Sequence, residues 1–249
     1  MGAAFEETGE PIPEGSSMSW RRPFYSVALL FNTADGSKPA FLGTCFAYGN
    51  NSSFLTAAHC VGRLEAAQIG IALPIIDQAD LISVKEVVRH QQADVALLRV
   101  DPVLSEELQP FIGLSAIHSW GEQVQALGYA EESSAEEVIP TARWFSGSIQ
   151  RLYTHHSLMG YAYRAGELSF GAPAGLSGGP IFTVREEDRI VGIVAENHDS
   201  TTMLRSVAEV QDGDSRYSEQ IHEVIRYGVF VELSSLRRWL EENVPGAAR

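Results

Sequence analysis

Three short segments carry residues whose types could do chemistry together. TAAHC (Thr56–Cys60) holds His59, ADVALLRV (Ala93–Val100) holds Asp94, and GLSGGP (Gly175–Pro180) holds Ser177. A serine hydroxyl is a weak nucleophile and needs a base within hydrogen-bond reach. Histidine suits that task because its pKa lies near neutral pH. A buried carboxylate can then fix the imidazole tautomer and stabilise the imidazolium. The three segments therefore supply a candidate base, orienting acid and nucleophile for attack on a carbonyl carbon.

The chain order His–Asp–Ser and the motifs themselves resemble the chymotrypsin/trypsin-fold serine proteases, in the style of bacterial trypsin-like peptidase domains. TAAHC is nearly that family's histidine motif, and GLSGGP matches its G-D-S-G-G-P at all but one position. The similarity covers about residues 24–243. It implies an all-β fold of two packed six-stranded antiparallel β-barrels, with the site in the cleft between them and a C-terminal α-helix. The implied activity is a serine endopeptidase working through an acyl-enzyme, with no cofactor and no metal. ADVALL is the segment most like the family's aspartate motif, which favours Asp94 over Asp77, Asp80 and Asp101. The backbone amides of Gly175 and Ser177 are expected to form the oxyanion hole. Amides aimed at a developing negative charge stabilise it by about 3–4 kcal/mol each.

The resemblance also locates a substrate pocket. Its floor is expected at Gly171 and Ala172, with walls from Ala195, Glu196, Asn197 and Gly228. No aspartate sits at the floor, so an uncharged side chain is expected at the cleavage position. The rival is a basic preference through Glu196, Asp199 or other acids of the 198–226 stretch. Cys45 and Cys60 fall where the family places a disulfide. They would be bonded in an oxidising compartment and two adjacent buried thiols in a reducing one.

One residue departs from the pattern. Secreted relatives carry an aspartate where this chain has Leu176, and after cleavage a new N-terminal amine pairs with it. Leucine cannot make that pair, and no basic-residue-then-IVGG site precedes the barrels. An enzyme without a trypsinogen-style switch is expected, gated by a regulatory protein partner or by narrow specificity. A catalytically silent binding module on the same fold is the alternative.

The elements that must position these residues are short. Apolar runs rich in Val, Ile, Phe and Tyr, separated by Gly, Asn and Pro turns, predict strands at 25–31, 41–48, 53–56, 81–88 and 95–100. A second set is predicted at 123–129, 142–152, 161–168, 180–184, 189–195 and 227–232. This divides the chain into a loose acidic arm (1–20), an N-terminal barrel (21–120) with His59 and Asp94, and a C-terminal barrel (121–249) with Ser177. The stretch 198–226 breaks the rhythm and reads as an insertion, a flap or disordered, with a short helix near 218–226. Ser234-Ser235 before LRRWLEENV reads as the N-cap of a terminal helix over 235–243. His155-His156 reads as part of a polar loop.

Bulk properties are permissive. The 249 residues are 45% apolar, enough to bury a core. A net charge of −14 argues against a nucleic-acid partner, whose phosphates need a basic face. No apolar run is long enough to span a membrane, and the acidic start lacks a secretory pattern. A cytoplasmic protein acting on a protein substrate is the expectation.

Overall fold

Strand formation follows the β-branched and aromatic runs. The computed structural model describes residues 21–35, 38–74, 81–117, 119–133, 138–157, 159–210 and 216–246. The arm at 1–20, Asp77 and Asp80 lie outside them.

After a short helix α1 (Arg21–Ser26) come β1 (Val27–Asn32), β2 (Ala40–Ala47) and β3 (Ser53–Thr56). The single-turn helix α2 (Ala58–Val61) follows, then β4 (Ile69–Ala72), β5 (Ile82–Arg89) and β6 (Ala96–Val100). These strands close into an antiparallel barrel in the order β1-β2-β3-β6-β5-β4. Its core includes Leu30, Phe46, Phe54, Leu55, Leu97 and Leu98, all fully buried. The sequence reading missed β4, whose four residues contain a glycine and are too short to show a period.

The second sheet comprises β7 (Gly113–Leu114), β8 (Gln123–Ser133), β9 (Val138–His156), β10 (Ala162–Leu168), β11 (Pro180–Thr183), β12 (Glu186–Val210) and β13 (Arg216–Glu232). The order is β11-β8-β9-β10-β13-β12-β7. β11 also pairs with β12, so the order turns back on itself. Aromatic rings link this sheet to the barrel. Phe111 lies edge-on to Phe46 (5.6 Å between centroids) and beside Phe182 (5.9 Å). The architecture is thus the expected all-β one, with a short helix at its C-terminal end.

Three expectations need correction. Residues 218–226 hold no helix, because they lie in strand β13. β12 and β13 pair from Gly192↔Glu232 out to Val210↔Arg216, so residues 198–210 and 216–226 form a two-stranded ribbon. Ile221, Val224 and Ile225 have helical spacing, but pairing with residues 199–205 decides the outcome. The terminal helix α3 spans Arg237–Asn243, after a 3-10 turn at Leu233–Leu236. Ser234 and Ser235 do not cap it: their hydroxyls donate to the Glu232 carboxylate (2.8 Å) and the Glu232 carbonyl (2.6 Å). The anchoring stripe is as expected, with Leu236 and Leu240 buried and Trp239 packed on the core. His155 and His156 end strand β9 rather than lying in a loop.

Candidate active site

The site is built from three turns. In the first, β3 ends at Thr56 and the chain turns into α2 through Ala57 and Ala58, both fully buried. Only small side chains fit there, and His59 is carried on that turn. In the second, the chain between β5 and β6 is held by the His90 side chain. Its Nδ1 accepts from the amides of Gln92 (3.1 Å) and Ala93 (2.9 Å), which sets the position of Asp94. Burial holds the His90 imidazole below its usual range, so it stays a neutral acceptor. Trp239 of α3 packs edge-on to the His90 ring at 5.3 Å, so the terminal helix buttresses this turn.

Asp94 grips His59 twice. Its Oδ1 accepts from the His59 backbone amide (2.8 Å), and its Oδ2 lies 2.6 Å from His59 Nδ1. The Asp94 side chain is 7% exposed and that of His59 27% exposed. Burial alone pushes the His59 imidazolium down. The hydrogen bond to Asp94, then the Cys60 sulfur and the Asp94 charge, outweigh it and raise the pKa to about 10. Asp101, one of the rivals, instead pairs with Lys85 on the surface (3.1 Å).

The third turn carries Ser177. Gly175 has φ +88° and Gly178 φ +87°, a region that favours glycine. A Cβ on Gly178 would meet Thr44 O at 2.0 Å, so the turn also needs glycine for space. The amides of Leu176, Gly178 and Gly179 donate to the carbonyls of Pro173, Val194 and Leu176. No hydrogen bond from the Gly175 or Ser177 amide is found among the described residues. Leu176 is fully buried, in a cluster with Ile181, Val194 and Phe230. Ser177 Oγ donates to the carbonyl of Ala195 (3.1 Å), and none of the described hydrogen bonds joins it to His59.

Thr44, in the middle of β2, ties the barrel to this turn, and the sequence reading missed it. Its hydroxyl donates to Gly175 O (2.9 Å) and accepts from the Tyr129 amide (2.9 Å). Its own amide donates to Ser177 O (2.9 Å), and its carbonyl accepts from the Thr56 hydroxyl (2.8 Å). A threonine among the apolar residues of a buried strand is the one signal that could have revealed it.

Cys45 and Cys60 are free and buried. Burial raises the Cys45 pKa, and the neighbouring Cys60 adds to it. The Cys60 sulfur lies 3.7 Å from His59 Nε2 and 3.6 Å from Ser177 O.

Of the residues expected to line a pocket, Ala195 touches Ser177, and Asn197 touches Ala172. Ala195 O accepts the serine hydroxyl, and Asn197 lies opposite Gly228 in the ladder. Asn197, expected in a pocket wall, is engaged through its side chain. Its Oδ1 accepts from the Ala172 amide (2.7 Å) and its Nδ2 donates to the Ala172 carbonyl (2.5 Å). The stem of Arg226 packs on Gly171. Glu196 turns away to pair with His155, whose ring lies 5.4 Å from that of Tyr163. Among the described residues no helix is long and apolar enough to cross a membrane.

The family model of the trypsin-like peptidase domain matches residues 43–193, more than half of the chain. Among curated proteins no sequence matches. Among solved structures, the active form of the Rv3671c protease from M. tuberculosis is similar with a TM-score of 0.62 at 15% identity, over 93% of this chain and 86% of that one. Its inactive form gives 0.58 at 14% identity, over 91% and 93%. The MamO protease domain from Magnetospirillum magneticum, in its apo form, gives 0.60 at 14% identity, over 89% and 99%.

Proposed function

The chain belongs to the trypsin-like peptidase domain family, has a chymotrypsin-like fold, and from that premise we propose that it is a serine endopeptidase with Ser177 as nucleophile, His59 as general base and Asp94 as the acid that orients it. The observation that carries this reading is the double grip of Asp94 on the backbone and ring of His59. It commits Nδ1 to Asp94, so Nε2, beside the Cys60 sulfur, is the ring nitrogen that must take the serine proton. The Ser177 hydroxyl swings from Ala195 O to His59 Nε2, and its oxygen attacks the scissile carbonyl carbon. His59 takes the hydroxyl proton, and the new oxyanion rests on the amides of Gly175 and Ser177. When the tetrahedral intermediate collapses, His59 returns the proton to the leaving amine. Water, activated by the same histidine, then hydrolyses the acyl-enzyme.

Activation by a new N-terminal amine has no place in this reading, because the full burial of Leu176 supports a turn shaped by packing. Control falls instead to a regulatory partner or to narrow specificity, with an uncharged residue at the cut. A silent binding module is the second reading, favoured by the serine's hydrogen bond to Ala195 rather than to His59.

The test is digestion of a peptide library by the wild type and by Ser177→Ala, reading new N-termini by mass spectrometry. The protease reading expects cuts made by the wild type alone. An identical set of termini from both proteins would leave the binding module.

A further inference from the structure

The residue preceding the scissile bond has one place to put its side chain under the protease reading. With its carbonyl carbon at Ser177 Oγ and its oxygen on the Gly175 and Ser177 amides, the side chain points between residues 170–172 and the Ala195–Asn197 stretch of β12. That space is crossed by hydrogen bonds. Gly228 N donates to Phe170 O (2.6 Å). The Asn197 carboxamide joins the amide and the carbonyl of Ala172 at 2.7 and 2.5 Å. Asn197 is exposed while Ala172 is buried, so the carboxamide lies across the gap from its solvent side.

The surroundings keep the gap narrow. A Cβ on Gly228 would meet Phe170 O at 2.9 Å and Leu168 Cδ1 at 3.1 Å. On the flank, a Cβ on Gly171 would meet Arg226 Cγ at 3.0 Å. The Arg226 guanidinium is itself held by two hydrogen bonds to Asp199 (2.8 and 3.1 Å).

We propose that Asn197 is a latch across the primary pocket, which limits the residue before the cut to a small uncharged side chain such as glycine, alanine or serine. This inference rests on the protease reading and sharpens it. A carboxamide suits the position because Ala172 presents one donor and one acceptor, and asparagine offers one of each in a single plane. The paired bonds copy a β-bridge and hold the two walls at hydrogen-bonding distance. A gap of that width admits a methyl group and turns away an aromatic ring or a long cation.

The test compares peptides with Gly, Ala, Phe or Lys before the cut, using the wild type, Asn197→Gly and Asn197→Asp. Labelling of Ser177 by a fluorophosphonate is followed in parallel as a measure of folded, reactive site. The wild type is expected to favour Ala over Phe by about 100-fold in kcat/KM, the scale on which pocket fit discriminates. Asn197→Gly removes the latch and raises the Phe-to-Ala ratio at least about 10-fold. Asn197→Asp loses the donor to Ala172 and faces its carbonyl, so it raises the Lys-to-Ala ratio; it decides the matter if Asn197→Gly fails to label. A wild type that cuts after Phe or Lys as fast as after Ala overturns the latch. So do unchanged ratios in variants that still label. A wild type that neither labels nor cleaves any peptide overturns the protease reading, and the latch with it.

Discussion

Asp94 holds both the position and the protonation of His59, and the two can be separated by experiment. Asp94→Asn keeps the shape but loses the charge, and kcat is expected to fall roughly 10³–10⁴-fold. The pH dependence follows from the His59 pKa of about 10. This lies above the usual value of about 6.5, so the ion pair stabilises the fold fully below pH ~6.5 and that contribution is lost as pH rises toward 10. Catalysis runs the other way, because the base must be neutral. The kcat/KM of the wild type therefore climbs across this window, and Asp94→Asn moves the climb to lower pH. A plateau already reached at pH 6 would contradict this. Thr44→Val tests the tie between barrel and nucleophile turn. It leaves the buried Tyr129 amide without its acceptor, costing about 1–3 kcal/mol. It also frees the Gly175 carbonyl, so kcat falls further than KM changes. His59, Asp94 and Ser177 were legible because their chemistry is written in contiguous motifs. Thr44 was not, because it acts through contacts that only the fold creates, reaching Tyr129 and Gly175, and His90 was not, because its bonds to the Gln92 and Ala93 amides form a turn that has no motif of its own.

At the scale of elements, the β12–β13 ribbon separates positioning from ornament. Its base, at Asn197↔Gly228 and Asp199↔Arg226, carries the walls of the proposed pocket. Farther out, Met203, Leu204, Val224 and Ile225 are exposed, and among the described residues none from 197 to 204 or 220 to 228 enters either core cluster. Replacing residues 200–225 by a two-residue Asn-Gly turn is therefore expected to change stability by less than about 1 kcal/mol and to leave Ser177 reactive. Thermal unfolding with probe labelling checks both. A collapse of stability would mean that the ribbon carries weight the packing does not reveal. The register that makes this ribbon joins residues from 27 apart at Asp199↔Arg226 to 6 apart at Val210↔Arg216, and a run of polar residues between them hides the period-2 pattern of a strand. The strands nearest the site were easier to read, because Ser53–Thr56 and Ala96–Val100 centre on the buried pairs Phe54-Leu55 and Leu97-Leu98.

Across the whole molecule, the site is assembled from parts that cannot form it alone. His59 and Asp94 belong to the closed barrel, and the Ser177 turn belongs to the second sheet. The contacts that bring them together include Thr44 N to Ser177 O, the Thr44 hydroxyl to Gly175 and Tyr129, the rings of Phe46, Phe111 and Phe182, and a shared apolar core that takes in Leu127, Tyr129 and Ile193. Leu176 anchors the turn in the core of the second sheet, where an acidic residue would bury an unpaired charge. Reactivity of Ser177 therefore reports on the entire assembly. Intact-mass analysis after incubation with a fluorophosphonate measures it in one experiment. The wild type should gain one adduct, on Ser177, while Ser177→Ala gains none and His59→Ala labels far more slowly. A wild type that stays unmodified, or an adduct that persists in Ser177→Ala, would contradict a hydrolase built on Ser177, His59 and Asp94.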